Sequence, residues 1–144
     1  MASRAHTQAA PRPPRATTDG AASDMDRRAT GSIAEAAARD FLVGHGLTLI
    51  AQNYSCRFGE LDLVMRDRNA LAVVEVRLRG SQRFGGASAS VDYWKRRRIV
   101  RATRHLLLAR RELRQLPVRF DVVALDSSGV PGGLEWIKGA FEAT

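Results

Sequence analysis

The chain has 144 residues, of which 44% are hydrophobic and 26% charged, a composition typical of one globular domain. Its 23 Lys and Arg residues against 15 Asp and Glu give a formal net charge of +8, which favours a polyanionic partner, and nucleic acid before a membrane. The single Cys56 excludes an intrachain disulfide and fits a reducing cytoplasm, and no apolar run has the length that a membrane span requires.

Residues 1–30 are rich in Ala, Arg, Thr and Pro and show no apolar periodicity, so we expect a disordered N-terminal tail. Met25 offers an alternative start of translation inside this tail. Residues 31–144 are predicted to form one α/β domain, a mixed sheet flanked by helices. The predicted order of its elements is α-β-β-β-α-β, with a short fifth strand as an optional last element.

The first predicted helix carries apolar residues at helical spacing and ends at Gly44 and Gly46. Glu35 lies at the edge of the apolar stripe, and two interpretations of it stay open. Glu35 could project toward the sheet. Alternatively, Ser32 and Glu35 could form a capping box in which Glu35 reaches back to the Ser32 amide.

After a first strand over residues 47–54, strict alternation on both sides of a polar turn predicts a hairpin of the second and third strands. With the turn centred between Arg68 and Asn69, facing residues have numbers that sum to 137. This register places Asp62 opposite Glu75. It also places Glu60 opposite Arg77, and it puts a set of apolar residues on the other side of the sheet: Leu61, Leu63, Met65, Ala72, Val74, Val76 and Leu78.

The facing acids Asp62 and Glu75 are unusual, because like charges directly opposite each other destabilise a sheet and strand interiors are depleted in Asp. An exposed face explains Glu60 with Arg77 as an ion pair, but it does not explain the two acids. Mg²⁺ or Mn²⁺, which carboxylates and water hold, would offset the repulsion. With the Arg77 cation nearby, the pair favours metal-assisted phosphodiester hydrolysis over a merely solvated face.

A Gly- and Ser-rich loop over residues 79–90 precedes a second helix predicted over about 91–114. Its Arg79 and Arg83 indicate either a cationic substrate flap or a plain connector. The helix divides into an apolar face and a basic face, and no acidic residue lies between Lys95 and Arg111. Phosphate binding accounts best for the basic face, which consists of Arg97, Arg101 and Arg104.

Lys95 falls with the apolar face of the second helix, where it could reach over the sheet or snorkel to solvent. The fourth strand is predicted over residues 118–125 and the optional fifth over 134–138. The aromatic residues near these elements are interpreted as packing residues rather than base-stacking platforms: Trp94, Phe120, Trp136 and Phe141.

Several motifs, in this order along the chain, resemble the bacterial YraN family. The likeness covers about residues 30–138. The motifs are Gly31 with Glu35-Ala36-Ala37, Asn53-Tyr54, Gly59-Glu60-Leu61-Asp62-Leu63-Val64, Val74-Glu75-Val76-Arg77-Leu78-Arg79, Gly85-Gly86-Ala87 with Ser90-Val91, Lys95 and Ile99, and Arg119-Phe120-Asp121-Val122-Val123. That family in turn resembles the PD-(D/E)xK nucleases, which include restriction endonucleases and Holliday-junction resolvases.

This resemblance implies a restriction endonuclease-like fold and a Mg²⁺ or Mn²⁺ site with Glu35, Asp62 and Glu75 as ligands. Arg77 stands where the superfamily has a lysine. Arginine keeps the charge and can bind phosphate, but it cannot deprotonate to act as a base, so water activation would fall to the metal or to Lys95. The catalytic set is therefore Asp62, Glu75, Arg77 and Lys95.

The expected function is that of a cytoplasmic, metal-dependent endodeoxyribonuclease, and the resolvase analogy suggests branched or damaged DNA as its substrate. Nucleic acid would contact Arg79, Arg83, Arg97, Arg101 and Arg104. Neither a membrane nor an organic cofactor is expected, and many nucleases of the superfamily are homodimers. Two alternatives stay open: a non-catalytic nucleic-acid-binding protein of the same fold, and a partner-binding module in DNA uptake or recombination whose carboxylates only pair with arginines.

Overall fold

The computed structural model describes residues 18–79, 91–126 and 133–143, and it describes side chains from residue 31 onward. The helices and strands follow one another in the predicted order, and the optional fifth strand is present. They are α1 (Thr18–Gly44), β1 (Thr48–Cys56), β2 (Gly59–Asp67), β3 (Ala70–Arg79), α2 (Tyr93–Ala109), a 3₁₀ turn (Arg111–Leu113), β4 (Val118–Asp126) and β5 (Leu134–Phe141).

The five strands form one sheet in the order β1-β2-β3-β4-β5. The β1–β2, β2–β3 and β4–β5 pairs are antiparallel, whereas β3 and β4 are parallel. Parallel neighbours need a crossover connection, and α2 lies in that connection. The predicted mixed sheet is therefore confirmed.

The hairpin of β2 and β3 has the predicted register. Its five residue pairs run from Leu63–Val74 to Asp67–Ala70, and the numbers in every pair sum to 137. Beyond Leu63–Val74 the two strands part, and each keeps its other neighbour: β3 continues alongside β4 as far as the Arg79–Asp126 pair, and β2 continues alongside β1. The acids at positions 62 and 75 are therefore the first residues past the paired stretch.

Helices cover both faces of the sheet. On one face, Ala38 and Leu42 of α1 pack on Leu63, Met65 and Val74 of the hairpin. On the other face, an apolar cluster unites α2 with the sheet: Leu61, Val64, Leu71, Val73, Ile99, Ala102, Leu106, Phe120 and Val122. Leu61, which the alternation places on the same side as Leu63, instead belongs to this second cluster, together with its β1 neighbour Tyr54.

Helix α1 begins at Thr18, inside the segment that the sequence predicts to be disordered, and residues 1–17 lie outside the described part of the chain. Ser32 consequently lies within the helix, so of the two open interpretations of Glu35, the capping box with Ser32 as N-cap is wrong. Ala, Arg and Met favour a helix through their intrinsic propensity even where apolar periodicity is absent. The end of α1 is as predicted, with Gly46 in a left-handed conformation (φ 93°).

Asp121 of β4 is a fully buried acid that joins β4 to β5. Its carboxylate accepts hydrogen bonds from Arg119 Nε (2.8 Å) and Nη2 (2.9 Å), from Trp136 Nε1 (3.1 Å) and from the Gly139 amide (3.0 Å). Arg119 also donates to Asp67 Oδ2 at the tip of the hairpin. This network explains structurally why an acid can occupy a strand interior.

Three of the four aromatic residues interpreted as packing residues are packed. Phe120 and Phe141 stack with their ring centroids 5.0 Å apart, and Trp136 packs against the α1-side core. Trp94 is different, because 67% of it is exposed at the start of α2. The packing interpretation of Trp94 is therefore wrong.

Candidate metal centre and nucleic-acid interface

The candidate site lies where β2 and β3 part. Here the amide of Val76 donates a hydrogen bond to Asp62 Oδ2 over 2.9 Å. The side chain of Asp62 thus supplies an acceptor at the point where the backbone pairing of the hairpin ends. This bond fixes the direction of the carboxylate, which leaves its second oxygen for other partners.

Three carboxylates from two elements converge at this point. Glu35 of α1 and Glu60 and Asp62 of β2 each offer an oxygen, and these oxygens lie within 4.8 Å of one another. Gln52 and Asn53 of β1 make side-chain hydrogen bonds to Glu35. Asn53 has a left-handed backbone conformation (φ 52°), which Asn tolerates better than most residues.

Glu75 of β3 stands beside this cluster and is paired with cations. It is only 5% exposed, its Oε1 lies 2.5 Å from Lys95 Nζ, and Arg77 Nε lies 3.9 Å away. Asp92 caps α2 by accepting a hydrogen bond from the Lys95 amide over 2.8 Å. Lys95 therefore reaches over the sheet instead of extending into solvent, which settles the choice that the sequence leaves open.

The acids of the site disfavour one another's charged forms. Burial raises the pKa of Asp62 to about 8, and the negative charge of Glu75 adds to this rise. Burial also raises the pKa of Glu35, against which the hydrogen bond from Asn53 acts. This rise favours the protonated, neutral form of the Asp62 carboxyl group.

A cleft of about 280 Å³ brings the predicted site residues together. Its walls carry all five of the residues predicted as metal ligands or catalytic groups, namely Glu35, Asp62, Glu75, Arg77 and Lys95. Acids from α1, β2 and β3 thus face cations from β3 and α2 across one depression. The assignment of catalytic and ligand roles to these residues remains a prediction.

The predicted nucleic-acid contacts fall into three groups. Arg97, Arg101 and Arg104 are exposed along the outer face of α2. Arg79 forms an ion pair with Glu135 of β5 at 3.1 Å, so its charge is partly neutralised. Arg83 lies outside the described residues.

The sequence does not reveal the part that Glu60, Gln52 and Asn53 play. Glu60 is predicted to pair with Arg77, but it joins Glu35 and Asp62 because β2 leaves β3 after Leu63. The two amides are ordinary β1 residues by sequence. Only the docking of α1, which starts far from them in the chain, brings them to Glu35.

Comparison with known proteins places this arrangement in a family. Residues 34–125, which include all the acids of the cleft, match the model of the uncharacterised protein family UPF0102. The chain belongs to the family UPF0102. The predicted YraN-type membership is thereby confirmed, whereas the likeness to nucleases remains a prediction.

The UPF0102 relatives span nearly the same domain. A UPF0102 protein of Xanthomonas euvesicatoria is 53% identical over 117 residues, which cover 81% of this chain and 94% of the relative. One from Nitrosospira multiformis is 49% identical over 82% of this chain and 97% of the relative, and one from Legionella pneumophila is 43% identical over 78% and 94%. Within the described part of this UPF0102 chain, no helix is both long enough and apolar enough to cross a membrane.

Proposed function

We propose that this UPF0102 protein is a cytoplasmic nuclease that hydrolyses phosphodiester bonds in DNA and depends on Mg²⁺ or Mn²⁺. The observation that carries the proposal is the convergence of three acids, Glu35, Asp62 and Glu75, with Lys95 and Arg77 in one cleft, beside which Glu60 adds a fourth carboxylate. Site acids paired with a nearby cation are the groups that phosphodiester hydrolysis needs.

The donor set fits a hard divalent cation. Mg²⁺ takes oxygen ligands at about 2.1 Å, so opposite ligands of one ion lie about 4 Å apart. The oxygens of Glu35, Glu60 and Asp62 lie within 4.8 Å of one another, a separation close to this spacing. Glu35, Asp62 and Glu75 remain the proposed ligands, with Glu60 as an additional one.

When bound, the cation would polarise the phosphoryl oxygen and lower the pKa of a water molecule. The residues of the chain do the rest. Asp62 would be a ligand of the cation, and the Val76 amide orients its carboxylate. Arg77 can hold the phosphate through its planar guanidinium, and Lys95 can stabilise negative charge or transfer a proton, which Arg77 cannot do.

One observation favours a second candidate, a nucleic-acid-binding protein without cleavage activity. Lys95 already neutralises Glu75 at 2.5 Å, so a built-in cation occupies part of the place that a metal would take. In that case the cleft would bind a phosphate through Lys95 and Arg77 and leave it intact. Both candidates use the arginines of α2.

Calorimetric titration with Mn²⁺ separates the two candidates. We expect wild type to bind Mn²⁺ and Asp62→Asn to lose this binding, because Asn cannot supply a charged ligand although it can still accept the Val76 amide hydrogen bond. Glu112→Gln, which removes an exposed acid on the 3₁₀ turn, is the matched control and should bind as wild type does.

A cleavage assay completes the test. Wild type with Mn²⁺ or Mg²⁺ should cut at least one of a set of duplex, single-stranded, flap and four-way-junction DNAs, and Asp62→Asn should cut none. Absence of both metal uptake and cleavage in wild type would refute the nuclease. DNA binding that persists in that case would leave the second candidate.

A further inference from the structure

The first turn of α2 exposes two aromatic side chains next to the cleft. Tyr93 is 56% exposed and Trp94 is 67% exposed, and their ring centroids lie 5.2 Å apart with the planes at 74°. The next residue, Lys95, contacts Glu75 inside the cleft. Among the residues that the structure describes, neither apolar core cluster includes Tyr93 or Trp94. Exposed aromatic groups of this kind mark binding surfaces.

Arg97 contacts both aromatic rings, so the three side chains form one positively charged surface. Its Cζ lies 5.7 Å from the Tyr93 ring centroid and 6.0 Å from that of Trp94. Its Nη1 also donates a hydrogen bond to Tyr93 Oη over 3.1 Å. Flat aromatic faces next to a guanidinium plane suit a ligand that combines π-faces with negative charge.

The positive charge of α2 indicates which class of such ligands fits this surface. The same outer face of α2 continues with Arg101 and Arg104, and the helix from Tyr93 to Ala109 contains no acidic residue. An apolar protein partner would have to desolvate these arginines without compensation. A nucleic-acid strand offers phosphates for the arginines and bases for the rings.

We propose that Tyr93, Trp94 and Arg97 form a stacking platform for an unpaired nucleobase that adjoins the cleft. This proposal rests on the nucleic-acid binding that is part of the proposed function. Neighbouring base pairs cover both faces of a base inside an intact duplex. Only an unpaired base, as in a single strand, a flap or a gap, can stack on a side chain, so the platform selects DNA with unpaired nucleotides.

The test measures binding by fluorescence anisotropy in metal-free buffer, with a flush duplex and with the same duplex carrying a single-stranded extension. Wild type should prefer the extended DNA. Trp94→Ala should weaken binding to the extended DNA roughly tenfold and leave binding to the flush duplex unchanged. Trp94→Phe should retain most of the preference, because a phenyl ring also stacks.

Leu108→Ala is the matched control. Leu108 lies on the outer face of the same helix and is 71% exposed, but it has no aromatic ring, so its removal should not alter the preference. The chain has two tryptophans, Trp94 and Trp136, and single-stranded DNA should quench tryptophan fluorescence in wild type but much less in Trp94→Phe. This second readout reports contact with Trp94 directly.

Several results would overturn the platform: equal binding of both DNAs by wild type, an equal loss on both DNAs in Trp94→Ala, or no binding at all. A change in sedimentation of Trp94→Ala, with DNA binding intact, would show that the rings contact a protein instead. Failure of the platform is distinct from failure of the nuclease. A wild type that cleaves DNA without Trp94-dependent preference refutes only the platform, and Trp94-dependent preference without metal uptake or cleavage refutes only the nuclease.

Discussion

The Asp62 side chain links the backbone of the sheet to the acidic cleft. Its Oδ2 accepts the Val76 amide hydrogen bond, while burial and the charge of Glu75 raise its pKa to about 8. The same residue is therefore both a structural acceptor and a strained acid. Its protonation state affects the free energy of unfolding.

We expect the replacement Asp62→Asn to change how the free energy of unfolding depends on pH. The pKa of Asp62 rises from about 3.8 in the unfolded chain to about 8 in the fold. Its protonated form thus contributes stability that is complete below pH 3.8 and is lost as the pH rises toward 8. In metal-free buffer, Asp62→Asn should therefore gain stability relative to wild type across this window, by up to ~1.4 kcal/mol per pH unit.

Urea unfolding between pH 4 and pH 8.5 measures this difference. Asp40→Asn, which removes an exposed acid on α1, controls for the general loss of a negative charge. A gap between wild type and Asp62→Asn that stays constant with pH would contradict the assignment.

Lys95 and Glu75 form the other sensitive contact of the cleft. Because Glu75 is buried, Lys95→Met would leave its carboxylate without the ammonium group that lies 2.5 Å away. We expect a loss of ~1–3 kcal/mol in unfolding free energy. The further replacement Glu75→Gln should recover part of it, and a double-mutant cycle in urea measures the coupling. Additive effects of the two replacements would show that Lys95 and Glu75 have no coupling energy.

At the level of elements, the hairpin and the helices contribute differently to the site. Sequence alternation and a polar turn were enough to predict the register from Leu63–Val74 to Asp67–Ala70, because it depends on contacts within one hairpin. The predicted direct pairing of Asp62 with Glu75 is not part of this register, although the two acids still interact past its end. The docking of α1, which brings Glu35 to Asn53, depends on long-range packing that no local pattern encodes. The early start of α1 was missed because residues 18–30 lack an apolar stripe.

The β4–β5 pair shows the same limit and yields a further prediction. In the sequence, Asp121 is simply one more acid in a predicted strand. In the structure, its carboxylate accepts four hydrogen bonds from three residues. Asp121→Ala would leave these donors unpaired and a guanidinium partly uncompensated. We expect a loss of ~3–5 kcal/mol, measured by urea unfolding, whereas Glu112→Ala on the surface should change stability by no more than ~0.5 kcal/mol. A similarly small effect for Asp121→Ala would refute its structural role.

Across the whole molecule, α2 connects the cleft with the basic surface. Its first turn places Lys95 against Glu75, and its outer face exposes Arg97, Arg101 and Arg104. Its inner face anchors it to the sheet through Ile99, Ala102 and Leu106. One rigid element therefore holds both the proposed phosphate contacts and a cleft residue in fixed relation.

Replacing Arg97, Arg101 and Arg104 together by Ala should weaken binding to DNA of any sequence. Each lost phosphate contact should lower the slope of log affinity against log salt by about 0.9, as measured by anisotropy titrations at several salt concentrations. A matched triple replacement of Arg66, Arg68 and Arg111, which are exposed elsewhere, removes the same charge. If both triple variants lose the same slope, net charge rather than the α2 surface governs binding.

The hydrogen bond between Asp62 and the Val76 amide spans only fourteen positions along the chain. Formation of the hairpin is enough to orient this carboxylate. The side chain therefore loses its rotamer entropy during folding and not on ligand binding. Glu35 and Lys95 reach the cleft only through helices that pack on opposite faces of the sheet. Asp62, Glu75 and Arg77 thus reach the cleft from two neighbouring strands, whereas the remaining acid and the remaining cation of the cleft depend on tertiary packing.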